Sequence, residues 1–223
     1  MNLGEGKLVV ATLKDKLIFD ITMNLSSNFP GWPGDIPGRI ERTTYISRGE
    51  IYNCSHIRSS LHWGTHIDAP FHLYDDKWTI DQIPLDILMG KVQVLEIPEV
   101  KEINAPILEK YSIKSQERLL IKTRNSEFWN ESFLFREDFS ALTPDAAEYI
   151  VKLGIKLVGI DYFSLDLYDA VDLPVHQILY QHNIIGVELL DLRQVKSGYY
   201  NLICLPMKIE GGDGAPARVV LVK

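Results

Sequence analysis

Residues 156–190 read KLVGIDYFSLDLYDAVDLPVHQILYQHNIIGVELL. The apolar run Lys156–Asp161 predicts a buried strand, and Ile184–Leu189 predicts a second. Between them Pro174 opens a helix in which Val175, Ile178 and Leu179 recur at i, i+3 and i+4. Upstream, Arg118–Arg124 has the composition of a strand, and Thr143 with Pro144 supplies the N-cap and first residue of a helix closed by Gly154. Strand–helix–strand–helix–strand at this spacing implies right-handed crossovers and a locally parallel sheet. Further upstream, Lys7–Leu13, Leu17–Thr22, Arg39–Ser47 and Tyr52–Ser60 are short β-branched or aromatic runs bounded by turn residues. Two more strands, Asn201–Ile209 and Ala217–Val222, end the chain. The order predicts an α/β fold with a mixed sheet curled toward a barrel and flanked by helices, in one domain over residues 1–223.

Composition sets the outer bounds. The chain has 223 residues, 46% apolar and 24% charged, with a net charge of -7. A chain of this size builds a core without staples. The acidic balance argues against a nucleic-acid partner, which needs a basic surface. No apolar run reaches the ~18 residues of a membrane span. The start, MNLGEGKLVV, lacks the pattern of an export signal. The two cysteines, Cys54 and Cys204, form no framework, so a reduced, cytoplasmic protein is expected. Three stretches are rich in turn residues: Asn28–Gly38, Thr123–Glu131 and Gly211–Pro216. The first presents Trp32 from a rigid Pro/Gly loop, where its ring reads as substrate-facing.

Chemistry concentrates in one string, His62-Trp-Gly-Thr-His66-Ile-Asp68-Ala-Pro-Phe-His72, or H-x3-H-x-D-x3-H. Imidazole and carboxylate suit zinc, manganese and iron. In an extended segment residues 66 and 68 point to one side, and a bend at Trp63–Gly64 brings His62 to the same centre. A lone histidine near a strand end is usually a hydrogen-bonded core or surface residue; three with an aspartate in eleven residues are not so easily explained. Ligands that come from one short segment leave coordination positions open, as catalytic sites do. His176, in the first turn of its helix, and Glu188, at a strand's carboxyl end, lie where open α/β sheets collect ligands. Asp161 and Ser164 share that edge as candidates to support the centre through hydrogen bonds. His56 reads as facing solvent or a neighbouring strand, His182 as a favourable cation at a helix C-terminus or a surface residue, and Gly211–Pro216, which carries Asp213, as a structural turn supporting the wall of the metal site.

The string resembles the H-x-G-T-H-x-D-x-P-x-H signature of the metal-dependent cyclase-like hydrolases, a family that includes bacterial kynurenine formamidases and isatin hydrolases. Phe19–Asp35, Gly159–Ser164, Leu173–His176, Glu188 and Leu205–Arg218 echo that family in order. The resemblance implies a barrel-like sheet flanked by helices, of the swivelling β/β/α type, in a homodimer or larger homo-oligomer. It implies two divalent metals per subunit, zinc first and manganese as the alternative, on His62, His66, Asp68, His176 and Glu188. Asp68 would bridge the two, and Glu188 would also reach the first. His72 would be the proton donor and acceptor, and Trp32 would line the pocket. The chain departs from the formamidases at Leu189, where they often carry Asn, and at Trp63, which replaces a small polar residue.

The implied activity is hydrolysis of an aromatic N-formyl amide, N-formyl-L-kynurenine to L-kynurenine and formate. Opening of a cyclic amide or lactone such as isatin uses the same machinery. A metal-binding protein without turnover is the reading from another class. A serine hydrolase is disfavoured because no G-x-S-x-G elbow occurs.

Overall fold

The three apolar runs that predict a parallel core lie side by side in the computed structural model, which describes residues 10–13, 16–114, 118–132 and 134–223. The strands are β1 (Val10–Leu13), β2 (Lys16–Asp20), β3 (Arg39–Thr44), β4 (Cys54–Arg58), β5 (His66–Asp68), β6 (Met89–Ile97) and β7 (Glu102–Ile103), followed by β8 (Arg118–Thr123), β9 (Ala141–Leu142), β10 (Leu157–Ile160), β11 (Ile185–Glu188), β12 (Gly198–Pro206) and β13 (Gly214–Val222). The helices are α1 (Leu85–Leu88), α2 (Ala105–Leu108), α3 (Asn125–Glu131), α4 (Pro144–Lys152) and α5 (Pro174–Gln181). Of the predicted strand Lys7–Leu13, residues 7–9 lie outside the described residues, as does nearly all of the start read for an export signal. No helix among the described residues is long and apolar enough to cross a membrane.

Nine strands form one sheet in the order β1-β2-β13-β12-β6-β8-β10-β11-β5, and a further pairing of β13 with β5 closes the last seven into a ring. β6, β8, β10 and β11 run parallel, while β12, β13 and β5 join them antiparallel. The sheet is therefore mixed and barrel-like, as the sequence predicts. The parallel run includes one strand, β6, that the sequence reading leaves unassigned.

Alternation along the strands separates two cores. Ile67, Val94, Leu120, Leu157, Val187, Leu202 and Leu221, one from each strand of the ring, fill a single interior cluster. Their neighbours Leu119, Ile121, Val158 and Ile160 face outward and pack beneath α4 and α5. Burial on both faces explains the uninterrupted apolar stretches 119–121 in β8, 157–160 in β10 and 185–187 in β11. A third, aromatic cluster includes Phe29, Trp63, Trp129, Phe139 and Tyr162.

Two expectations change. The Thr123–Glu131 stretch is not a loop, since most of it is α3, and Asp161 is not part of the site. The buried Asp161 carboxylate accepts from Thr123 N (2.9 Å), Thr123 Oγ1 (2.8 Å), Ser126 N (3.1 Å) and Ser126 Oγ (2.6 Å). A carboxylate 35 residues away in sequence thus satisfies the first turn of α3, a cap that no local pattern shows. Asp161→Ala leaves buried donors without an acceptor, at about 1–3 kcal/mol for such a loss. Urea unfolding after metal removal should show a stability decrease in that range relative to the parent treated alike, while the variant as purified should carry the parent's metal content per chain.

Candidate metal centre

β5 is short but tightly held. It pairs with β11 on one side and β13 on the other, with Glu188 opposite His66 and Gly214 opposite Asp68. Ile67 points into the ring interior, so His66 and Asp68 project from the outer face, together with Glu188 of β11. Gly64, at φ 75°, makes the turn that returns His62 to the same place, as expected for a residue in the left-handed region. The predicted same-side arrangement of residues 66 and 68 is present.

Asp68 is the hub. Its Oδ1 stands 2.7 Å from His62 Nδ1 and 3.0 Å from His66 Nε2. Its Oδ2 stands 3.6 Å from His176 Nε2 and accepts a 2.7 Å hydrogen bond from the Tyr180 hydroxyl. Glu188 Oε1 lies 3.1 Å from His176 Nε2, and Oε2 lies 3.5 Å from His66 Nε2. Asp68 and Glu188 are only 1% and 4% exposed, so this acidic pair is no solvated surface charge.

Burial alone would lower the His62 pKa, but Asp68 and Asp213 beside it raise it to about 10. Burial is likewise outweighed at His176, where Asp166, Asp68 and Glu188 hold the pKa well above the usual histidine range. At Asp68 burial opposes ionisation, and His62 and His66 overcome it and hold the carboxyl below its usual range. Buried carboxylates here demand positive charge. Protonated imidazoles answer that demand, and so would a divalent cation.

His66 decides between these answers. Its Nδ1 lies 2.8 Å from the Gly64 carbonyl oxygen, which only accepts, so Nδ1 carries the proton. In the neutral ring the lone pair then falls on the buried Nε2, which has no hydrogen-bond partner and faces oxygens of Asp68 and Glu188. An acceptor set among carboxylate acceptors fits a cation ligand. His176 has the same design, its Nδ1 2.5 Å from Asp166 Oδ2 and its Nε2 toward Glu188. Such a carboxylate–histidine pairing fixes the tautomer of a metal-binding imidazole. Asp166 also accepts from Val175 N (2.9 Å) and His176 N (3.0 Å), which anchors the first turn of α5. Imidazole and carboxylate without thiolate suit a divalent cation of the zinc or manganese kind.

Among the described residues the donors form three groups: His62–His66–Asp68, Asp68–His176–Glu188 and the more exposed His62–His72–Asp213. His72 lies in the short turn Pro70–His72, its ring centroid 4.3 Å from that of His62, outside the buried pair of groups. A cavity of about 360 Å³ opens over the centre, with Trp32, Phe163, Leu173 and Ser164 in its wall. Trp32 rests edge-on against Phe135 at 5.4 Å and beside Tyr168 at 5.7 Å. Ser164 accepts from Asp166 N at 3.1 Å, so it supports the loop that carries Asp166. His56 is exposed on β4, and the exposed His182 turns Nδ1 to the Ile178 carbonyl at the end of α5.

Tyr180 and Asp166, near the centre, escape the sequence reading, and Asp213 enters it only as part of a turn that supports the wall of the site. Tyr180 has a signal, since it stands four residues after His176 and so shares its helix face. Asp166 and Asp213 have none beyond lying in loops that adjoin ligands.

Known proteins resemble the chain in sequence and in fold. Kynurenine formamidase of Bacillus anthracis is 32% identical over 209 residues, covering 94% of this chain and 99% of that one. A solved structure described as a potential metal-dependent hydrolase with cyclase activity has 30% identity and a TM-score of 0.80, covering 93% of this chain and 98% of the other. Isatin hydrolase A of Labrenzia aggregata, at 24% identity, shares the fold with a TM-score of 0.79 over 93% of each chain. The Cyclase family model matches residues 19–167, which hold the whole His62–His72 string. On that match and that string, the chain belongs to the Cyclase family.

Proposed function

We propose that the chain is a metal-dependent hydrolase that cleaves an aromatic N-formyl amide to the amine and formate, with N-formyl-L-kynurenine as reference substrate. The observation that carries the reading is the buried His66 Nε2, which lies among carboxylate oxygens without a hydrogen bond. The similarity to kynurenine formamidases supports the choice of substrate class. His62, His66 and Asp68 would hold one cation and Asp68, His176 and Glu188 a second, zinc in both, within one domain that works as a homodimer. A cation there supplies Lewis acidity, polarising a carbonyl oxygen and acidifying water toward neutrality.

The remaining work falls to the chain's own groups. His72, at the mouth of the cavity, takes the proton of the attacking water and delivers it to the departing amine nitrogen. Without that delivery the amide nitrogen would leave as an anion. Tyr180 and Asp166 hold Asp68 and His176 in place from the side away from the cavity. Trp32 and Phe163 offer apolar surface to an aromatic ring.

The test is metal analysis of the purified protein, followed by assays on N-formyl-L-kynurenine, an N-formyl aniline and isatin, each with and without chelator. Chelator-sensitive release of formate is expected. Trp32→Ala should raise KM about 10- to 100-fold with a smaller change in kcat, as loss of a buried aromatic contact implies. Release of formate that chelator leaves unchanged would overturn the metal reading. Turnover of isatin alone would move the substrate to the cyclic amides.

A further inference from the structure

The Gly211–Pro216 turn is read from sequence as structural, and its backbone is firmly pinned. Asp213 O accepts from Ala69 N (2.9 Å), Gly212 O accepts from Ile80 N (2.9 Å), and Asp81 Oδ1 accepts from Gly211 N (3.1 Å). The turn also comes unusually close to His62. A Cβ at Gly214 would stand 2.8 Å from His62 Cε1 and 2.9 Å from the Ile67 carbonyl oxygen, so only glycine fits there.

This closeness puts one carboxylate oxygen between two imidazoles. Asp213 Oδ2 is 3.0 Å from His62 Nε2 and 3.5 Å from His72 Nδ1. The turn that sets it is tied to Ala69, three residues before His72 and one after Asp68, so its position is fixed relative to both histidines.

We propose that Asp213 is a positioning residue for both histidines at once. It accepts the Nε2 proton of His62, which leaves Nδ1 as the lone pair beside Asp68, and its charge, 3.5 Å from His72 Nδ1, favours the proton on that nitrogen, which leaves Nε2 as the atom that exchanges protons with substrate. The first half concerns cation binding and the second proton transfer. Only the second rests on the hydrolase reading. Asp213 touches neither substrate nor cation in this scheme. It fixes which nitrogen of each ring is available, and loss of such an outer carboxylate typically weakens metal binding about 10- to 100-fold.

The test is Asp213→Asn, which keeps shape and volume but removes the charge, with Asp213→Glu as the variant that keeps the charge. Zinc dissociation constants would be measured by competition with a chromophoric chelator, and kcat and KM on an N-formyl aniline at saturating zinc. Asp213→Asn is expected to weaken zinc binding about 10- to 100-fold, and Asp213→Glu to recover part of that loss. At saturating zinc, kcat of Asp213→Asn should fall at least about tenfold with KM nearly unchanged, as for a misaligned proton donor. A turn that matters only for its shape would accept asparagine, so zinc affinity of Asp213→Asn within threefold of the parent overturns the first half. Unchanged kcat at saturating zinc overturns the second. Loss of one zinc equivalent, with the affinity of the rest unaltered, would make Asp213 a ligand and overturn the proposal as a whole. If no formamide is hydrolysed by the parent protein, the proposed function fails while the zinc measurement still decides the first half.

Discussion

Asp68→Ala should be recovered without its metal and should hydrolyse an N-formyl amide about a thousandfold more slowly, or slower still. The expectation follows from the two faces of one carboxylate. Oδ1 meets His62 and His66, while Oδ2 meets His176 and Tyr180. Asp68 is the residue shared by both buried donor groups. Removing it takes a ligand from each, whereas removing His66 or His176 takes one from a single group. Lewis-acid stabilisation of the transition state is worth several kcal/mol, and each 1.36 kcal/mol is tenfold in rate, which gives the thousandfold figure. Elemental analysis of the variant should find a small fraction of the parent's metal. Full metal content in Asp68→Ala would remove the basis for placing the cations around this residue.

The sequence foretells the parts of the centre that depend on local spacing. His66 and Asp68 share a face because they stand two apart in a strand, and His62 joins them through the turn at Gly64. His176 and Glu188 are placed correctly because a helix start and a strand end at the same edge of a parallel sheet must be neighbours. What stays hidden depends on long-range closure. Asp213 reaches His62 across 151 positions only because β13 pairs with β5 and closes the ring, a contact outside the strand-by-strand reading. The role of Asp161 is inverted for the same reason. Its place at a strand end suggests the site, but the donors that claim it come from Thr123 at the end of β8 and Ser126 of α3, in a stretch that sequence shows as turn residues. β6 does carry a local signal that the reading passes over, since Gly90 and Pro98 bracket the alternating run 91–97.

His72→Ala should keep its metal and lose about 10²- to 10⁴-fold in kcat, the usual range for removing a positioned proton-transfer group. The contrast with Asp68→Ala separates binding from chemistry. His72 follows β5 by four residues, yet the short turn begun at Pro70 carries it away from the buried groups and into the mouth of the cavity. Its side chain is 30% exposed, against 2% for His66. A group so placed can exchange protons with solvent between turnovers, which a sealed ligand cannot. Amide cleavage needs one proton removed from water and one added to nitrogen, so a single imidazole that takes the first and gives the second keeps the balance without another acid. Because the mouth is open, added imidazole should restore part of the lost rate in His72→Ala and none in Asp68→Ala, where the deficit is in the cation. A His72→Ala enzyme with parental kcat and full metal content would show that the proton travels by another route, and the role assigned to His72 would be withdrawn.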